Sequence, residues 1–111
     1  MTETDNTNAP PSLGILLGVA PHEAPFGYAV QLANASLAAG HRVYVYLLDD
    51  AVAGSEQAAI AKLEHKGAKI SACAYAARKR NLVLKDHIVY GGLGILHEII
   101  LKTDRFVGFC H

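Results

Sequence analysis

The stretch Leu13-Gly14-Ile15-Leu16-Leu17-Gly18-Val19 is apolar at every position, with no polar residue alternating along it. A strand that shows such a run is covered on both faces, which in a small protein means a parallel sheet with helices packed above and below. Ala20-Pro21-His22-Glu23-Ala24-Pro25 interrupts the run. Phe26, Ala29, Val30, Ala33 and Leu37 then recur at helical spacing up to a stop at Gly40. The same alternation of strand and helix repeats down the chain. Val43 to Leu48 reads as a second strand ending at Asp49-Asp50, and Ser55 reads as the N-cap of a helix carrying Ala59, Ile60 and Leu63, with Gly67 past its end. Ile70-Ser71-Ala72 is a short third strand and Ala74 to Arg80 an alanine-rich helix. His87 to Tyr90 is a short extended piece, Gly91-Gly92-Leu93-Gly94 opens a helix to about Lys102, and Arg105 to Phe109 is the last strand. The expectation is an α/β protein: a three-layer α/β/α sandwich around a mainly parallel five-stranded sheet of the flavodoxin type.

Residues 1–12 are polar, contain Pro10-Pro11 and offer no apolar periodicity, so a disordered tail is expected there, followed by one domain over 13–111. Ten basic and ten acidic residues cancel, and no basic stripe interleaved with aromatics runs through the chain, so nucleic-acid binding has no electrostatic basis. No apolar run approaches the roughly 20 residues of a membrane span. The two cysteines are separated by 36 intervening residues, forming neither CxxC nor a paired metal motif, and Met1-Thr2-Glu3-Thr4-Asp5 has no signal-peptide character. A cytoplasmic, reduced protein without a metal is expected.

Cys73 stands where the third strand gives way to the helix behind it. A thiol in that place meets the unpaired N–H groups and the positive end of the helix dipole, which favour thiolate over thiol. A free cysteine, with a pKa of about 8.5, is only a few per cent thiolate at neutral pH, so a modest downward shift multiplies the reactive fraction. Arg78-Lys79-Arg80 adds positive charge toward the far end of the helix. A buried core cysteine is the plainer alternative. In a parallel sheet, functional groups collect beyond the carboxyl ends of the strands, and His22, Asp49, Cys73, Gly91 and Cys110 all follow strand ends. His22 is a candidate to orient or protonate the site. Asp49 and Asp50 suit a turn or a cap better than a catalytic pair. The glycines from Gly91 to Gly94 admit a second reading, a phosphate- or nucleotide-binding flavodoxin-like module, although GxGxxG and a P-loop are both absent.

Cys73 with its small and basic followers, Gly92-Leu93-Gly94-Ile95-Leu96-His97-Glu98, Asp104-Arg105 before a closing apolar strand, and the early Gly18 to His41 stretch together resemble the DsrE/TusD family of sulfur-relay proteins. The resemblance runs from Leu13 to Phe109. It implies a DsrE-like fold and a sulfurtransferase role in which Cys73 carries sulfur as a persulfide. It also implies no cofactor, sulfur-donor and sulfur-acceptor proteins as partners, and assembly into trimers or hexamers of one chain or of paralogous subunits. A non-catalytic subunit of such an oligomer is the other role the family offers. Asn81 stands where the family commonly has glycine, and both accept the left-handed conformation of a helix C-cap. The last helix supports assembly independently: Leu93, Leu96, Ile99 and Ile100 form a broad apolar face with Ile95 and Leu101 outside it, more than one sheet contact needs. Cys73 and Cys110 end strands that are not expected to be neighbours, so no disulfide is expected between them.

Overall fold

The computed structural model describes residues 9–111, so the tail expected over residues 1–12 lies outside the described residues up to residue 8. Five strands form one sheet in the order β4-β3-β2-β1-β5: β1 Ser12–Leu17, β2 Arg42–Leu47, β3 Lys69–Cys73, β4 Val89–Gly91 and β5 Arg105–Phe109. Every neighbouring pair is parallel. The helices are α1 Ala24–Ala38, α2 Ala58–His65, α3 Ala74–Lys79 and α4 Leu93–Lys102, with a 3-10 helix, Asp49–Glu56, between β2 and α2.

The two faces of the sheet are unequally covered. On one face Ile15, Leu17, Val43, Val45, Leu47, Ile70 and Ala72 meet Phe26, Ala29 and Ala33 of α1, Val52 of the 3-10 helix, Ile60 and Leu63 of α2 and Ala76 of α3, forming the main core. The alternate residues, Gly14, Tyr44, Tyr46, Ser71 and Phe106, look the other way. There the cover is α4, seated through Ile99. A Cβ on Gly14 would stand 2.7 Å from Phe106 Cδ1 and 2.9 Å from Ile99 Cγ2, so the close seat of α4 requires the missing side chain.

Local signals in the sequence translate directly at several turns. Gly40 and Gly67 have φ of 87° and 110°, and Asn81 has φ of 55°, each closing a helix in the left-handed region. Other expectations are corrected. Ser12 belongs to β1 and is buried: its N–H and hydroxyl both donate to Asp104 Oδ2, at 2.8 and 3.1 Å, and its carbonyl accepts the Asp104 N–H. Ser55 caps nothing. It lies inside the 3-10 helix with its hydroxyl buried and unpartnered, and Gln57 takes the N-cap position of α2.

The orientation of α4 also differs from the expected face. Ile99 is 2% exposed and the side chain of Ile95 reaches the Cα of Gly91, so the sheet side runs through Ile95 and Ile99. Leu93, Ile100 and Leu101 face outward with exposures of 67%, 46% and 71%. A wheel drawn from sequence gives the width of an apolar face, but the packing decides which part of it meets the sheet.

Candidate functional site

Cys73 is the last residue of β3 and the N-cap of α3, with extended backbone at φ −71° and ψ 116°. Its sulfur accepts the Ala76 N–H at 3.4 Å, within the range of a bond to sulfur. The local sequence accounts for this placement. Lys69 to Ala72 supplies a strand, and Ala76 and Ala77, 3% and 1% exposed, let a short helix press against the core directly behind it. The thiol is half-buried and free.

Tyr46 lies below it. Strand β2 is beside β3, Tyr46 is aligned with Ser71, and Cys73 is aligned with Gly91 of β4. The Tyr46 hydroxyl lies 3.4 Å from the Gly91 carbonyl oxygen and 3.3 Å from that of Gly92, so the side chain reaches from β2 across β3 to β4 at the level of Cys73. Burial pushes the phenol up to about 12, and the neighbouring Cys73 adds to the shift. Tyr46 is fully buried, and sequence reasoning passed over it as part of an apolar strand. Its signal is chemical: a phenol in a strand covered on both faces must find a polar partner.

The basic trio acts differently from expectation. Arg80 turns back on its own helix, donating to the Ala76 carbonyl at 3.2 Å, and forms an ion pair with Asp50 at 2.8 Å. That guanidinium holds the Asp50 carboxyl below the usual carboxylate range. Arg78 and Lys79 are exposed, and the Lys79 ammonium sits 6.0 Å from the centre of the Tyr75 ring. Asp49, with φ of 51°, is a turn residue.

His22 is exposed in the β1–α1 loop. It makes no side-chain hydrogen bond or ion pair among the described residues. Strand order reverses between β1 and β5, away from Cys73. That crevice is filled: Gly18 donates its N–H to Phe109 at 2.9 Å, Cys110 Sγ lies 3.0 Å from where a Gly18 Cβ would be, and the His111 ring bonds Glu23 at 2.8 Å. Cys110 is exposed and unbridged.

Gly91 and Gly92 have structural explanations. The side chain of Ile95 occupies the space a Gly91 Cβ would need, and Gly92 caps α4. A cleft of about 410 Å³ lined by Pro11, Ser12, Leu32, His41 and Asp104 lies at the amino ends of the strands, opposite Cys73. Among the described residues no group of three His, Cys, Asp or Glu side chains is placed to hold a metal ion. No helix among them is long and apolar enough to cross a membrane.

No family model matches the chain, and no curated protein matches it. Among solved structures it is similar to the YchN protein of E. coli, with a TM-score of 0.72 and 19% identity over 89% of this chain and 99% of that one. It is also similar to a conserved protein of unknown function, BT1422, from Bacteroides thetaiotaomicron, with a TM-score of 0.72 and 18% identity over 87% of this chain and 93% of that one. At these identities the likeness establishes the fold: a five-stranded, all-parallel α/β sandwich shared over nearly the whole chain.

Proposed function

We propose that this protein is a DsrE/TusD-like sulfur carrier in which Cys73 accepts sulfane sulfur and hands it to the thiol of a partner protein. The observation that carries the reading is the half-buried Cys73 sulfur at the N-cap of α3, with the Ala76 N–H directed at it. In loading, the Cys73 thiolate attacks the outer sulfur of a donor persulfide. The donor S–S bond breaks, the donor thiolate leaves with its electron pair, and Cys73 becomes Cys73–S–SH. In delivery an acceptor thiolate attacks that outer sulfur and the Cys73 thiolate leaves. Neither half needs an external oxidant, reductant or cofactor, since one S–S bond replaces another.

Sulfur-donor and sulfur-acceptor proteins are the partners this chemistry asks for. The surface beside the thiol suits them, because Tyr75 and Val83, on α3 and the loop after it, are 69% and 70% exposed. The outward apolar side chains of α4 support assembly with further copies or with paralogous subunits, as a trimer or hexamer in the pattern of the family. A cytoplasmic, reducing location keeps Cys73 available. His22, the other candidate, stands at the far side of the same edge.

The test is peptide-resolved mass spectrometry after incubation with inorganic polysulfide. One reductant-labile sulfur is expected on the Cys73 peptide, lost in Cys73→Ser and kept in Cys110→Ser. Sulfur that follows Cys110, or a Cys73 peptide that gains none, overturns the reading. In the second case, tight nucleotide binding marks the flavodoxin-like module, and its absence marks a non-catalytic subunit.

A further inference from the structure

We infer that Tyr46 is a catalytic residue of the sulfur-transfer site, its buried hydroxyl donating a hydrogen bond to the Cys73 sulfur whenever that sulfur carries negative charge. The inference rests on the carrier reading for its role in turnover, and on the sheet register, which brings the hydroxyl to the level of Cys73, for the placement of the donor. The hydroxyl enters from β2, crosses β3 and ends beside the β4 carbonyls of Gly91 and Gly92, and Cys73 is the β3 residue aligned with Gly91.

The distances say how firmly the proton is committed. An O–H to O bond is typically about 2.7–2.8 Å, whereas the two carbonyls stand at 3.4 and 3.3 Å. A phenol has a single proton, and here it is shared between two long, weak acceptors. A thiolate formed on the aligned Cys73 is the stronger acceptor toward which the hydroxyl would turn, because bonds to charged acceptors are roughly twice as strong as neutral ones. The tyrosine remains protonated through the exchange: with its phenol pushed up to about 12 it is a fixed donor and not an acid that gives its proton away. Together with the Ala76 N–H it would give the sulfur two donors, one main-chain and one side-chain.

Two such donors act unequally on the two half-reactions. During delivery the S–S bond of Cys73–S–SH breaks and negative charge grows on the Cys73 sulfur, where the hydroxyl stabilises the transition state. During loading the same sulfur begins as the anion and loses charge as it attacks. The hydrogen bond then steadies the starting state and makes the thiolate more abundant but less nucleophilic. Tyr46 is therefore expected to favour release of sulfur over uptake per thiolate, a signature that packing alone does not give.

Tyr46→Phe keeps the ring and removes the donor. Loading from inorganic polysulfide and delivery to dithiothreitol are timed separately, with alkylation of Cys73 by iodoacetamide followed by peptide mass spectrometry. Expected are delivery slower by about tenfold and alkylation slower by about tenfold near neutral pH. In strongly alkaline solution, where all Cys73 is thiolate, alkylation and loading should match or slightly exceed the wild type. A fluorinated tyrosine at position 46, with the same shape and a more acidic hydroxyl, should move delivery the other way and also answers the case of a phenylalanine variant that folds poorly. Equal slowing of loading and delivery in strongly alkaline solution, or alkylation unchanged near neutral pH, overturns the assignment. Should the wild type take up no sulfur, the carrier reading is what fails, and the alkylation arm still decides whether Tyr46 serves the thiolate.

Discussion

Ile99 and Ile100 are neighbours in sequence with opposite surroundings, and replacing each in turn with alanine tests how α4 is seated. Ile99 is 2% exposed and presses on Gly14 with Phe106 beside it. Truncating a buried isoleucine to alanine costs about 2–5 kcal/mol, with the lower half applying where the surroundings can collapse. Because α4 is open to solvent on its far side, about 3 kcal/mol is expected. A chain of 111 residues loses roughly 4 °C of melting temperature per kcal/mol, so Ile99→Ala should melt about 12 °C lower. Ile100 is 46% exposed, and the better helix propensity of alanine returns a few tenths of a kcal/mol, so Ile100→Ala should cost less than about 1 kcal/mol in an isolated chain. The assay is thermal unfolding at several protein concentrations. Equal losses, or a larger loss at Ile100 at every concentration, would show that the helix is rotated from the position described. A penalty at Ile100 that grows with concentration would instead reveal another subunit covering the outward face.

Ser55→Ala removes a buried hydroxyl that has no partner, so stability should hold or rise by up to about 1 kcal/mol in urea unfolding; a loss above that would mean the hydroxyl is bonded in solution. Glu23 and His111 form an exposed pair, Glu23 held below its ordinary value chiefly by the Ala20 N–H and then by His111, and His111 raised by Glu23. The Glu23 contribution is present above the ordinary carboxylate range and lost as pH falls through its lowered value. The His111 contribution is present below the ordinary imidazole value and lost as pH rises through its raised one. The melting difference between wild type and His111→Ala should therefore peak between about pH 5 and 6.5 and shrink on both sides, and a difference that persists in alkaline solution contradicts the pairing. Cys73 and Cys110 end strands three spacings apart, about 14 Å, so a non-reducing peptide map should show no bridge within one chain; finding one would require the sheet to rearrange.

The strands and their ends were legible because their signals are local. Apolar runs without alternation marked β1 and β2, and glycine or asparagine beyond the last helical turn marked Gly40, Gly67 and Asn81. Cys73 as the cap of α3 was legible for the same reason, since a strand that stops at a small polarizable residue ahead of an alanine-rich stretch leaves little choice of geometry. What escaped depends on contacts distant in sequence. Ser55 carried the composition of a cap, but Asp49 to Glu56 wound into a 3-10 helix that buried it. Ile95 and Ile100 exchanged their expected faces because the close approach at Gly14 and Gly91 sets the rotation of α4. Tyr46 escaped because its hydroxyl is satisfied by carbonyls 45 and 46 residues away, on a strand whose place in the sheet the sequence does not state.

The clasp between Ser12 and Asp104 bears on how the molecule can be handled. It pins the first strand at its amino end, and because every strand runs the same way, that end is the pole opposite Cys73. A tether joined ahead of Ser12 thus departs from the side away from the thiol, and a surface or fluorophore attached there leaves the thiol facing solution. An extension after His111 would emerge at the same pole as Cys73, on the β1–β5 side of it, beside the Glu23 pair. For tagging, display or crosslinking, the two ends of the described residues are not equivalent handles.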